Sequence, residues 1–348
     1  MEASEYNFKM LYANFIQLDR VQNHAFDIFN HHAYEQSYTP VPIRNIFLEH
    51  GIELNTPDLN EGRSTIFNLF SDGQAGVLPQ GLNYLMAIEN PYITPQNADI
   101  NYLSKFKRVF TFNRNLLQLP NVTQIFLPNR IRVEVFTPFH ERSLFSCLIN
   151  SNKTFPFSLD SDLYLERIKT IRWYEKNQPL DFHLYGMGWD KPLRAYTFKN
   201  KVIRRIQRLS TQLFSFKPFP SFRGEVENKH AILTKTKFAY CYENVSNLPD
   251  YITEKIFDCF FSGCVPVYWG SETIKDHIPS NCFINRSDFK DTSQVHQFLK
   301  EIDEDTYQSY QENIKKFLLS AEAKKFDINY FSETIANTIL SDLRLNQT

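Results

Sequence analysis

Two packed α/β layers are the fold class that this sequence predicts. Three observations lead there. The chain has 348 residues, too many for one ordinary core and suited to two domains. Its first part alternates short apolar runs with polar turns. From about residue 143, strand-like and helix-like segments alternate, the mark of a parallel sheet covered by helices. Two such layers facing one another would leave a cleft near residues 135 to 145.

In the first part, Lys9 to Phe15 reads as a strand, Val41 to His50 as a short helix and Ser64 to Phe70 as another strand. Leu82 to Ile88 (LNYLMAI) reads as a buried strand that stops abruptly at Glu89-Asn90-Pro91. Proline ends regular pairing, which puts Glu89 at the strand's carboxyl end. Arg108 to Phe112 and Thr123 to Leu127 are further short strands. In the second part, Leu144 to Ile149 is a strand, and Asp160, Ser161 and Asp162 offer N-caps to a helix running to about Asn177. Phe182 to Tyr185 is the next strand, ending at Gly186-Met187-Gly188-Trp189, and Arg204 to Phe214 reads as helical. Phe238 to Tyr242 is a strand, followed by a loop, a helix from about Tyr251 and a strand at Val265 to Tyr268. Cys282 to Ile284 is the last strand; from Thr292 onward the chain reads as helices, with Ile328 to Leu343 suited to pack back on the first domain.

Composition narrows the function. Net charge is -1, whereas a nucleic-acid binder usually carries a strong basic excess. The aromatic content of 15% fills a core first, and leaves rings to stack on a nucleobase or a sugar face. No apolar run reaches the roughly 20 residues of a transmembrane helix. The start, MEASEYNFKMLYANF, is too polar and acidic for a signal peptide. Cys147, Cys241, Cys259, Cys264 and Cys282 form no CxxC pair and read as reduced, buried thiols of a cytosolic protein. Asn-x-Ser/Thr sequons stand at Asn121, Asn152, Asn244, Asn285 and Asn346. A glycan on Asn244 would block the site described next, which weighs against passage through a secretory pathway.

Chemistry concentrates in residues 237 to 271, KFAYCYENVSNLPDYITEKIFDCFFSGCVPVYWGS. Its middle is a helix that Asp250 can cap and Gly263 can stop. Ile256, Phe257, Phe260 and Phe261 form an apolar stripe, with Tyr251, Glu254, Lys255 and Asp258 on the other face. On a surface helix that second face is simply solvated. Here its first turn follows a strand and a loop, where open parallel sheets bind ligands. The set suits a nucleotide diphosphate. The helix N-terminus offers N–H groups and partial positive charge to phosphate. Lys255 adds a full charge, Glu254 can hold a ribose diol, and Tyr251 can bond a phosphate or stack on a ring. Each charge-assisted contact contributes roughly 1.5–3 kcal/mol. Chemistry alone leaves a plain Glu-Lys surface pair open.

The ordered run Tyr242-Glu243-Asn244, Tyr251-Ile252-Thr253-Glu254-Lys255 and Pro266-Val267-Tyr268-Trp269-Gly270 resembles the signature of the α-1,3-fucosyltransferases, the inverting glycosyltransferase family ten. Weaker resemblance extends to Leu163 to Arg167, Leu184 to Trp189 and Phe222 to Val226, while the first 80 residues match nothing. The resemblance implies a GT-B fold, two facing Rossmann-like domains with the active site in the cleft between them. It implies residues 1–140 as an N-terminal acceptor-binding domain, 141–327 as a C-terminal domain binding the GDP-sugar, and 328–348 as a helix returning to the first domain. GDP-β-L-fucose would be the donor substrate and a glycan the acceptor, in an α-1,3 linkage to N-acetylglucosamine. Asn244, Tyr251, Glu254 and Lys255 carry over as donor-binding positions, supported by Glu243, Thr253 and Gly270. Such enzymes contact the diphosphate with an arginine on the helix after the domain's first strand; Arg167 matches it, with Arg172 as the alternative register. The family's base is a glutamate followed by asparagine at a strand end, the place of Glu89-Asn90, against the plain reading of a loop carboxylate. The family often continues there with small polar residues, whereas this chain has Pro91-Tyr92-Ile93, so its acceptor contacts are expected to differ. No cofactor is obligatory, and a divalent metal is at most stimulatory.

Other signals have simpler readings. Asp160-Ser161-Asp162 is formally a metal-binding DxD but stands where a helix cap belongs, and Asp303-Glu304-Asp305 reads as a solvated face. Gly186-Met187-Gly188 lacks the third glycine of a dinucleotide fingerprint, and His31-His32 lacks a partner at metal-ligand spacing. Lys201, Arg204, Arg205 and Arg208 read as a solvated helix face; contact with the diphosphate or an anionic membrane stays open. The expectation is a cytoplasmic enzyme, soluble or peripheral at a membrane. The competing readings are a transferase for another GDP-sugar and a catalytically silent carbohydrate- or nucleotide-binding protein.

Overall fold

The computed structural model describes residues 10–17, 40–193 and 217–345. His31-His32, the basic stretch from Lys201 to Arg208, the helix expected to Phe214 and the sequon at Asn346 lie outside the described residues. The strands, in chain order, are β1 (Leu11–Gln17), β2 (Ile52–Asn55), β3 (Thr65–Ser71), β4 (Leu82–Ala87), β5 (Arg108–Thr111), β6 (Val122–Gln124), β7 (Leu144–Ile149), β8 (Phe182–Tyr185), β9 (Thr236–Tyr242), β10 (Val265–Trp269) and β11 (Ile284–Asn285). The helices are α1 (Val41–Glu49), α2 (Ile100–Leu103), α3 (Leu163–Asn177), α4 (Lys229–Leu233), α5 (Glu254–Phe261), α6 (Thr292–Glu301), α7 (Glu304–Leu318) and α8 (Ile328–Leu345). Unit 1 takes the chain to Ile131 and adds Pro249–Tyr251 and Lys324–Thr348; unit 2 holds Arg132–Leu248 and Ile252–Ala323. The chain thus leaves unit 1 before residue 140, and three residues of the motif segment count with unit 1.

Unit 1 is a parallel sheet in the order β2-β1-β3-β4-β5-β6. On one face Ile43 and Phe47 of α1 and Phe331, Ile335 and Ile339 of α8 bury Phe15, Leu54, Phe67 and Leu69. On the other, Phe70 and Leu85 pack with Tyr102, Leu103 and Phe106. Burial on both faces is why β4 reads as an apolar run broken only by Asn83. Asparagines stand side by side across the sheet: Asn14 pairs in register with Asn55 and Asn68, and Asn68 with Asn83. Asn14 Nδ2 donates to Asn68 Oδ1 at 2.9 Å, and Asn68 Nδ2 to Asn83 Oδ1 at 3.0 Å. A slip of one residue would bury these amides unpaired, so they fix the register.

Unit 2 is a parallel sheet in the order β11-β10-β9-β7-β8. Ile171 and Tyr174 of α3 and Val295 and Leu299 of α6 pack on Phe182, Tyr240 and Val267. Alternation along β9 sends Tyr242 to the α3 side, where its hydroxyl meets Thr170 at 3.2 Å, and Glu243 to the α5 side. Connections run to opposite sides of β7 at its border with β9, and such a switch point opens a ligand crevice at the strands' carboxyl ends. Those ends carry Asn150, Glu243-Asn244 and Gly270. Asp162 caps α3, accepting from the backbone of Tyr164 at 2.7 Å, and Asp303 caps α7. Among the described residues no helix is long and apolar enough to cross a membrane, and all five cysteines are free and buried.

Candidate active site

The α5 stop agrees with the sequence; its start does not. Gly263, with φ +63°, donates its N–H to Phe260 O at 3.1 Å, and Cys264 donates to Cys259 O at 3.0 Å. This is the paired bonding that ends a helix through a left-handed glycine. At the other end the N-cap is Thr253, whose hydroxyl accepts from Lys255 N, and the helix begins at Glu254. Asp250 is not the cap. It is fully buried in unit 1 at φ +62°, paired with Arg114 through two bonds of 2.9 Å and bonded by Gln124 at 2.9 Å. An arginine partner and a left-handed backbone take it out of capping geometry.

The start of α5 is organised by Glu243, whose side chain is fully buried. Its carboxylate accepts from Thr253 N at 2.9 Å, Thr253 Oγ1 at 2.9 Å and Lys255 Nζ at 2.9 Å. Lys255 Nζ also donates to Thr253 Oγ1 at 3.0 Å. Burial alone would lower the Lys255 pKa, but the carboxylates of Glu243 and Glu254 outweigh it and raise the pKa above its ordinary value. The ammonium is therefore fully charged at neutral pH. Gly270 makes the room for this arrangement: a methyl group there would collide with the Tyr268 hydroxyl and with Glu243 Cγ.

Arg167 and Asn244 meet at the end of β9. Arg167, 2% exposed, donates from Nη2 to Tyr242 O at 2.6 Å, Glu243 O at 2.8 Å and Asn244 Oδ1 at 3.2 Å. Its guanidinium lies 4.7 Å from the Tyr164 ring centroid. Arg172 is elsewhere: it pairs with Glu175 at 2.6 Å and stacks on Phe219. The register of α3 thus brings Arg167, not Arg172, to the strand end.

The polar face of α5 is not simply solvated. Lys229 at the start of α4 binds Asp258 at 2.9 Å and approaches Glu254 at 3.8 Å. Burial pushes Asp258 up to about 6, with Lys229 opposing and Glu254 adding to the rise. Burial also acts to raise Glu254, but Lys255 and Lys229 overcome it and hold the carboxyl down at about 2. Sequence reading missed Lys229, which stands well before the motif; only the spacing of Glu254 and Asp258, one helical turn apart, signals a site for a shared cation.

Tyr251 counts with unit 1. It is 4% exposed, and its ring centroid lies 5.2 Å from that of Phe112 within unit 1. Glu89 follows the end of β4 in unit 1, half-buried, with Oε1 accepting from Asn90 N at 2.7 Å. Asn90 is fully buried and accepts from Tyr92 N at 2.8 Å, the turn that lets Pro91 follow.

Comparison with known proteins shows what these residues are similar to. Residues 199–337 match the family model "Glycosyltransferase family 10 (fucosyltransferase) C-term". An alpha-(1,3)-fucosyltransferase of Helicobacter pylori is 37% identical over 75 residues, 22% of this chain and 16% of that protein. The human 4-galactosyl-N-acetylglucosaminide 3-alpha-L-fucosyltransferase 9 is 26% identical over 232 residues, 65% of this chain and 51% of that protein. The chain therefore spans about half, or less, of the length of these relatives. Among solved structures, an alpha-glucosyltransferase in complex with UDP and DNA aligns with a TM-score of 0.54 at 11% identity, covering 96% of this chain and 100% of that one. That likeness is one of fold, two Rossmann-like units of the GT-B type. Residues 199–337 are thus similar to the C-terminal part of glycosyltransferase family 10, the fucosyltransferases.

Proposed function

We propose that this chain transfers L-fucose from GDP-β-L-fucose to a glycan hydroxyl with inversion at the anomeric carbon. The observation that carries the proposal is the buried Glu243 carboxylate, which fixes Lys255 and the α5 N-cap beside Arg167 and Asn244. Two cationic side chains and a helix N-terminus at a strand's carboxyl end form a site for a diphosphate. Glu254, ionised at neutral pH, is placed to accept from a ribose diol.

In the reaction, the acceptor oxygen attacks the fucose anomeric carbon as the bond to GDP breaks. Glu89 takes the proton of the attacking hydroxyl, and the departing diphosphate collects negative charge. A base of this kind contributes about 10²–10⁴-fold. Lys255, Arg167 and the α5 N-terminus stabilise the leaving group electrostatically. The similarity of residues 199–337 to the fucosyltransferase model, and of the chain to 3-alpha-L-fucosyltransferase 9, supports fucose as the transferred sugar and an α-1,3 linkage to N-acetylglucosamine as the product. Tyr251, Thr253 and Gly270 complete the proposed donor side, Thr253 and Gly270 by holding Glu243 and Lys255 in place. The donor site is tested by titrating GDP into wild type and Lys255→Ala. The expected result is GDP affinity weakened by roughly 10–100-fold, matching a lost charge-assisted contact, with donor KM raised and kcat lowered. Equal affinity in the two proteins removes Lys255 from the site.

A further inference from the structure

Asp72, at the turn that follows β3, has no place in the proposed chemistry and yet is built with care. Its backbone is left-handed at φ +66°, a conformation that non-glycine residues adopt at a cost. Its N–H donates to Met86 O on β4 at 2.9 Å. Its Oδ1 accepts from the backbone N–H of Ile88 at 2.8 Å and of Glu89 at 2.7 Å. The same oxygen accepts from Asn97 Nδ2 at 2.8 Å, and that amide group also donates to Glu89 O at 2.9 Å. Asn97 Oδ1 closes the ring by accepting from Gly73 N at 2.8 Å. A methyl group on Gly73 would collide with Gln96 and crowd Asn97 and Tyr102, so the turn is packed as tightly as it is bonded.

Among the described residues no lysine or arginine pairs with Asp72, and its charge is met by N–H groups alone. Burial raises its pKa while these bonds act to lower it. A carboxylate held in a strained turn without a cation adds little to stability for its cost. What the arrangement does accomplish is local: both the N–H and the C=O of Glu89 are tied to fixed partners, so the backbone that carries this side chain cannot swing.

We propose that Asp72, with Asn97, is a positioning residue that clamps the Glu89 backbone and thereby sets the direction of the base. The proposal rests on the reading of Glu89 as base, and the experiment separates the two. Asp72→Ala, Asp72→Asn, Asn97→Ala and Glu89→Gln are compared for acceptor-stimulated GDP release from GDP-fucose, for donor KM, and for amide hydrogen exchange at residues 88 and 89. Asp72→Ala is expected to lose protection of those two amides by about tenfold or more, the equivalent of one lost hydrogen bond. Its kcat should fall by roughly 10–100-fold with donor KM unchanged, because a misplaced base costs turnover and not donor binding. Asp72→Asn keeps Oδ1 and is expected to retain most of kcat. Asn97→Ala, which spares the strained turn, supplies the same test where Asp72→Ala does not fold. A kcat per folded molecule near wild type in Asp72→Ala or Asn97→Ala, with Glu89→Gln inactive, overturns the clamp and leaves the base. Acceptor-stimulated release surviving in Glu89→Gln overturns both.

Discussion

Glu243→Gln perturbs the cluster at its centre with almost no change in shape. The amide keeps one oxygen to accept from Thr253 N, now at 2.9 Å from Oε1. It loses the oxygen that accepts from Lys255 Nζ and Thr253 Oγ1, both at 2.9 Å. A charge-assisted hydrogen bond contributes about 1.5–3 kcal/mol, and breaking a buried ion pair costs about 3–5 kcal/mol. Lys255 is 17% exposed and keeps Thr253 Oγ1 at 3.0 Å, so the lower end applies, about 3 kcal/mol. For a unit of this size that corresponds to a fall in Tm of roughly 6–12 °C. The sign against pH follows from the raised Lys255 pKa. Its stabilisation is complete below the ordinary value of 10.5 and disappears as pH rises through the folded-state value above it. The gap between wild type and variant is therefore full at pH 7 to 9 and closes only in strong alkali. Burial also limits screening, so the gap should persist in about 1 M salt. Scanning fluorimetry across pH and salt measures it. A Tm within about 2 °C of wild type at pH 8, or a gap abolished by salt, would refute the reasoning.

Two further predictions concern the surrounding charges. Arg114→Ala removes the cation that pairs with the fully buried Asp250 carboxylate, and should destabilise unit 1 by about 3–5 kcal/mol, read by denaturant unfolding. Asp258→Asn tests a titration: with a folded pKa of about 6 against an ordinary 3.8, wild-type stability should fall as pH rises between those values. That decline is on the order of 2–3 kcal/mol, and the variant should lose it. Glu254, held at about 2, works in the opposite direction at lower pH, its contribution vanishing as pH falls below the ordinary value of 4.5. An unchanged slope between pH 4 and 6 in Asp258→Asn would contradict the assignment.

Much of the fold is legible in the chain because strands buried on both faces read as largely apolar runs, as in LNYLMAI and FAYCY. β2 is not, since Ile52–Asn55 is short, half polar and anchored by the asparagine ladder, a feature that exists only once the strands are paired. The end of α5 is legible from Gly263, whose left-handed backbone is a local property. Its start is ambiguous, because Asp250 and Thr253 are both capping residues, and only the distant Arg114 decides between them. The candidate site follows the same division. Lys255 and Glu254 stand out by chemistry and by motif, whereas Lys229, Asp72 and Asn97 act through partners that chain distance hides. Tyr251 belongs to the motif by sequence, yet its ring packs on Phe112, a contact no spacing along the chain encodes.

Acceptor-stimulated GDP release from GDP-fucose, in wild type and Glu89→Gln with N-acetyllactosamine-type acceptors, tests the central claim most directly. The account predicts release that depends on acceptor in wild type and falls by roughly 10²–10⁴-fold in the variant, with GDP binding intact in both. Wild-type protein that binds neither GDP nor GDP-fucose would contradict it.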